Sequence, residues 1–193
     1  PSWKSAESPI IFNGIRNGEF YDARLEVPGW NTPEFDDSHW EQAKIIRAPG
    51  GELKAFEMEP IRITRELPAV RKWKSSSGTW MFDIGQNLAG VAKIKVAGKT
   101  GTQVTIRYSD MLKEDNLTLD QGPIQGFIRS GEFQTDKYIK KSDDVEFWHP
   151  IFVYHGFQYV EVSGMDDEPD LDMVTALVMH TDFKERGHFA CSD

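Results

Sequence analysis

The sequence predicts an all-β fold: an antiparallel jelly-roll or concanavalin-like β-sandwich with one or two short helical turns. Three observations lead there. Short β-type runs recur between Gly, Pro, Asn and Asp. Two of these runs alternate polar and apolar residues with a period of two, as a strand with one wet and one buried face does. Helical patterning never extends past a turn or two.

Taken in order, the first local signal is helical. Asp36-Asp37-Ser38-His39-Trp40-Glu41-Gln42-Ala43 offers an Asp or Ser to cap a first turn, acidic side chains at its positive end, and Trp40 to bury. Strand candidates follow at 79–84, 91–97, 102–108, 131–139, 151–154, 158–163 and 171–179. The clearest alternation is in Lys93-Ile94-Lys95-Val96 and in Gln103-Val104-Thr105-Ile106-Arg107-Tyr108. Between them, Ala97-Gly98-Lys99-Thr100-Gly101 has the turn residues of a tight hairpin. A second helical turn is expected at 109–113. The stretches 50–59, 71–78 and 116–130 read as loops, the last as a long excursion across one end of the sandwich.

Bulk properties narrow the function classes. The 193 residues are 39% hydrophobic and 12% aromatic, enough for a packed core. A net charge of −9 and a pI near 5.1 repel phosphate backbones, so nucleic acid is not an expected partner. Arg71-Lys72-Trp73-Lys74 is a short basic cluster read as a solvated loop. Apolar runs are too short for a membrane span, and a lone Cys191 offers neither an intrachain disulfide nor a metal cluster. The opening Pro1-Ser2-Trp3-Lys4 lacks Met and an apolar leader, so the chain reads as a processed or excised piece whose compartment stays open between periplasmic or extracellular and cytoplasmic.

Chemistry-bearing residues are sparse in pattern. Glycoside hydrolysis needs two carboxyl groups about 5 to 9.5 Å apart in a sugar-sized pocket. With 31 acidic residues a pair somewhere is inevitable, so the count points nowhere. Asp36/Asp37, Asp143/Asp144 and Asp166-Asp167-Glu168 read as capping and solvated groups; the functional alternative for Asp166, Asp167 and Glu168 is a surface Ca²⁺ site. The five histidines show no metal spacing, and His155 reads as a buried, hydrogen-bonded histidine. Tryptophans are the more informative class, because an exposed indole can stack on the apolar face of a sugar. Trp30 and Trp73 are the carbohydrate candidates by their loop surroundings, and Gln86 and Asn87 are candidates for lining a crevice or facing a partner domain. Gly85, Gly90 and Gly156 fit bends or close backbone approaches, and Asp22 and Arg24 share a face from which each can pair with a neighbouring strand.

Several blocks are more specific than composition. Asn17-Gly18-Glu19-Phe20-Tyr21-Asp22-Ala23-Arg24, Gly29-Trp30, Phe35-Asp36-Asp37-Ser38-His39-Trp40, Pro60-Ile61-Arg62, Phe82-Asp83-Ile84-Gly85-Gln86-Asn87-Leu88-Ala89-Gly90 and Tyr154-His155-Gly156-Phe157-Gln158-Tyr159-Val160-Glu161-Val162 occur in order. Together they resemble bacterial α-L-rhamnosidases, from about Ile11 to the end of the chain. The closing Gly187-His188-Phe189-Ala190-Cys191-Ser192-Asp193 is similar to the stretch that leads into that family's catalytic (α/α)₆ barrel. One departure is Gln158, where the family usually has Arg.

The resemblance implies that the family's general acid and base lie in the barrel, so no catalytic residue is carried over to this sequence. It implies an accessory sandwich at 11–186, a lead-in from a preceding domain at 1–10, and the start of a linker to the barrel at 187–193. The implied partners are that barrel and carbohydrate. The rival from another class is a free-standing lectin-like module for rhamnose or plant glycan, with Ca²⁺ as the conceivable cofactor; a third reading is a purely structural spacer.

Overall fold

The computed structural model describes residues 2–165, 167–184 and 186–192. Among them are fourteen strands in chain order. The first five are β1 (Lys4–Ser5), β2 (Ile10–Gly14), β3 (Gly18–Asp22), β4 (Glu41–Gln42) and β5 (Ile61–Pro68). Then come β6 (Arg71–Lys74), β7 (Trp80–Val96), β8 (Gln103–Ser109), β9 (Met111–Leu112) and β10 (Leu119–Asp120). The last four are β11 (Thr135–Ile139), β12 (Glu146–Trp148), β13 (His155–Ser163) and β14 (Val174–Thr181).

Ten strands form one curled sheet in the order β2-β3-β11-β8-β13-β7-β14-β5, with β12 and β6 also paired to β7. The curl is made by β7. Its first residues lie between β6 and β13, and its last between β12 and β14. Midway, Gly85 takes φ of +83° and lets the strand turn; further on, a Cβ at Gly90 would sit 2.0 Å from the Leu177 carbonyl oxygen. The two halves thus face each other across a single core that includes Phe82, Ile94, Ile106, Phe157, Val160 and Val174. Each such side chain, fully buried, contributes about 1.5–3 kcal/mol of transfer free energy. The all-β sandwich is therefore the observed architecture, and no helix among the described residues is long and apolar enough to cross a membrane.

Local expectations differ in instructive ways. The candidates 79–84 and 91–97 are one strand, because the intervening glycines bend the ladder without ending it. The expected hairpin at 97–101 is absent as a pairing: β7 is already flanked by β12 and β14, so the turn carries the chain across to the other half, where β8 joins β11 and β13. Segment 151–154 is not a strand, and its neighbour β12 carries the pairing there. One contact, β3 with β11, is parallel, so the sheet is mixed.

Neither segment expected to be helical forms a helix. The chain at 36–43 makes one turn, with the Trp40 amide donating to the Asp37 carbonyl at 3.0 Å, and is then drawn into β4 by pairing with β1. Residues 109–113 are extended because β9 pairs with β10. The helical turns are 3₁₀, at Ala23–Leu25 and Leu171–Met173. The first is started by Asp22, whose side chain accepts from the Arg24 amide.

Candidate functional site

The densest chemistry lies inside the sandwich. β3 places Glu19 in the interior and β11 does the same for Asp136, both 0% exposed. Asp136 accepts from the Tyr108 hydroxyl at 2.6 Å and from the Glu19 backbone amide at 2.8 Å, and it lies 3.1 Å from His155 Nε2. Tyr108 and His155 also stack with ring centres 4.4 Å apart. Glu19 accepts the Ile151 and Phe152 amides, each at 3.1 Å, and the Asn13 amide at 3.2 Å. Burial pushes the Glu19 carboxyl above its ordinary range, and Asp136 adds to that shift; the two amides oppose it. Burial, with Asp136 beside it, likewise holds the Tyr108 phenol protonated. His155 is thus the buried, hydrogen-bonded histidine expected of it, although its Nδ1 has no hydrogen-bond partner among the described residues.

Other buried ionic groups have the same character. Lys140 is fully enclosed; its ammonium donates to the Val96 carbonyl at 3.1 Å and faces Glu146 at 3.7 Å. Glu146 in turn accepts from Ser142 and from the Tyr138 hydroxyl. Glu161 receives Arg107 at 2.8 Å and Thr79 at 3.1 Å. Asp22 and Arg24 pair with each other, Nε to Oδ1 at 2.9 Å and Nη2 to Oδ2 at 2.7 Å, and do not reach neighbouring strands; the turn at Ala23 folds one back on the other. That guanidinium holds the Asp22 carboxyl below its ordinary range.

The residues singled out from the sequence are dispersed. Gln86 and Asn87 are exposed where β7 bends, beside Gly85. Asp83 closes that bend by accepting the Gly85 amide at 2.8 Å. Gln158 donates to the same carboxylate at 3.0 Å, while Arg71 supplies the positive charge at 3.5 Å. Trp73 is half-buried on β6: its indole donates to the Leu117 carbonyl at 2.8 Å, and the Arg71 guanidinium lies over its ring. Glu168 is held by Lys72 at 2.6 Å, Asp167 is exposed near it, and Asp166 lies outside the described residues. Among the described residues no three His, Cys, Asp or Glu side chains converge as metal ligands would. Gly156 needs no special conformation, since nothing stands within 4 Å of a Cβ there.

Trp30 is different. It is 61% exposed and lines a groove of about 850 Å³ with Trp40, Tyr21, Glu26, Lys141 and Phe152. Glu26 accepts the Tyr21 hydroxyl at 3.0 Å and pairs with the Lys141 ammonium. The sequence marks Trp30 but not Tyr21 and Glu26 a few residues before it, nor Lys141, which only a tertiary contact brings to them. Glu19 and Asp136 were missed for the same reason; only the block around Glu19 drew attention to that segment.

Fold and site together define a concanavalin-like β-sandwich whose buried ionisable groups bind its own strands to one another. The chain belongs to the bacterial α-L-rhamnosidases. Residues 73–180 match the bacterial α-L-rhamnosidase concanavalin-like domain and residues 1–65 the α-L-rhamnosidase N-terminal domain. An α-L-rhamnosidase of Formosa agariphila is 35% identical over 192 residues, covering 100% of this chain and 20% of the relative. The structure of an α-L-rhamnosidase from Dictyoglumus thermophilum superposes with a TM-score of 0.90 at 39% identity, over 100% of this chain and 21% of that one. That of the Streptomyces avermitilis α-L-rhamnosidase complexed with L-rhamnose gives 0.81 at 35% identity, over 94% and 17%. The chain therefore spans about a fifth of the length of these relatives.

The two family matches do not divide the fold into two sheets. Within 1–65, β2 and β3 extend one end of the curled sheet and β5 begins its other end.

Proposed function

We propose that this chain is the bracing β-sandwich of an α-L-rhamnosidase and hydrolyses nothing by itself. It supports the region that cleaves terminal α-L-rhamnose from glycans or glycosides. The bracing unit is 11–186, with 1–10 leading in and 187–193 leading out towards the catalytic barrel.

One observation carries the reading: every buried carboxylate among the described residues is already committed to a structural partner. These are Glu19, Asp22, Asp136, Glu146 and Glu161. A glycosidase needs a carboxyl pair open to a sugar and to water. Glu19 and Asp136, the most deeply buried of these carboxylates, are sealed from both. The exposed side chain of Tyr154 lies on the loop that Glu19 tethers, outside the Trp30 groove, and adds apolar surface of the kind a neighbouring domain covers.

The test is an assay of this chain on 4-nitrophenyl α-L-rhamnopyranoside beside an intact α-L-rhamnosidase. No release of nitrophenol above background is expected, and turnover comparable to the intact enzyme would overturn the reading.

A further inference from the structure

We propose that the groove around Trp30 is a carbohydrate subsite that takes one 6-deoxyhexose residue, of which L-rhamnose is the probe. The choice of sugar rests on the rhamnosidase reading above; the site itself rests on the groove.

A pyranose offers an apolar C–H face and a rim of hydroxyls that need both donors and acceptors. The groove supplies both. Trp30 presents its indole from a turn in which its amide donates to the Val27 carbonyl and the Thr32 amide to the Gly29 carbonyl, with Gly29 at φ of +76°. Phe152 and Trp40 extend the apolar wall, and the methyl of a 6-deoxy sugar gives that wall something to cover. The polar edge is the Glu26–Lys141 pair, whose side chains remain 34% and 50% exposed. Each Glu26 oxygen has one charged or hydroxyl partner and a lone pair to spare, and the ammonium keeps further N–H groups.

The pair is preorganised. Tyr21, which fixes Glu26, is stacked against Tyr138 with ring centres 6.1 Å apart and lies beside Trp148. Preorganised polar groups cost less to engage than mobile ones. An apolar protein segment covering the groove would strip water from this ion pair without replacing it, which is costly; sugar hydroxyls replace that water group for group. Trp73 lacks these features, because its N–H is already bonded and Arg71 occupies its face.

The experiment is titration of this chain with methyl α-L-rhamnopyranoside, followed by saturation-transfer NMR and tryptophan fluorescence, with and without EDTA. Saturable binding in the millimolar range is expected, unaffected by EDTA. Trp30→Ala is expected to weaken it roughly tenfold and Glu26→Gln by a smaller factor, while Trp73→Phe leaves it unchanged. Circular dichroism melts of each variant report whether the fold survives, which the exposure of Trp30 favours. Absence of saturable binding, equal affinity in Trp30→Ala and Glu26→Gln, or loss of binding in EDTA overturns the proposal. None of those outcomes bears on hydrolysis, so the bracing function stands or falls separately.

Discussion

At the scale of single residues the chain spends its polar chemistry inside itself. Asp136 alone serves a tyrosine hydroxyl, a histidine and the backbone amide of Glu19, joining β3, β8, β11 and β13. Removing one member of such a buried set leaves the others without partners, which costs more than any one bond contributes. Glu19 gives this a pH signature. Its carboxyl is shifted up in the fold from 4.5, so folding favours its protonated form. Its contribution to stability is therefore present below the unfolded value and is lost as pH rises through the raised folded one. Glu19→Gln abolishes that dependence. The variant is expected to be less stable than the parent by about 1 kcal/mol at pH 4, having lost an acceptor for one amide. That gap should narrow as the pH approaches 7. Urea unfolding midpoints at the two pH values check it, and a gap that widens with pH contradicts it.

The element that decides the architecture is β7. A strand of 17 residues belonging to both halves of a curled sheet needs a point where it bends and a point where another backbone can lie against it. Gly85 provides the first through its positive φ, and Gly90 the second through the approach of Leu177. Gly90→Ala places a methyl inside the van der Waals radius of that carbonyl, so the β7–β14 ladder must open. A loss of about 3 kcal/mol is expected, the upper range for overpacking. Thermal melts would show it, and a melting temperature equal to the parent's would mean that the approach at Gly90 is not as close as described.

At the scale of the molecule, the N-terminal strands are held to the rest by the sheet and not by the chain that follows them. Residues 43–60 form no strand or helix, and Ile45, Ile46, Leu53 and Phe56 are exposed along them. By contrast, β3 is paired with β11 and sealed to it through Glu19 and Asp136. Brief chymotrypsin treatment is expected to cut near Leu53 or Phe56 before touching β7, β8 or β13. The two pieces should then elute together in size-exclusion chromatography under native conditions. Separate elution would mean that the parallel β3–β11 contact is too weak to unite the two family matches into one fold.

The fold class was legible along the chain, since alternation and turn residues are local properties that each strand carries alone. Lys93–Val96 and Gln103–Tyr108 announced their burial without help. The family was legible as well, because ordered blocks such as Asn17–Arg24 and Phe82–Gly90 stand in the primary structure. What the sequence left open is partnership. The turn at 97–101 looked like a hairpin because turn chemistry is local, whereas the choice of pairing partner depends on which edges are already occupied. Asp136 and Lys140 carry no pattern that marks them as buried; only the arrival of the Tyr108 hydroxyl and of the Val96 carbonyl from distant segments makes their burial tolerable. Lys141 likewise reaches Glu26, beside Trp30, only through the tertiary fold. Local chemistry fixed what each segment is, and tertiary structure alone decided what each segment touches.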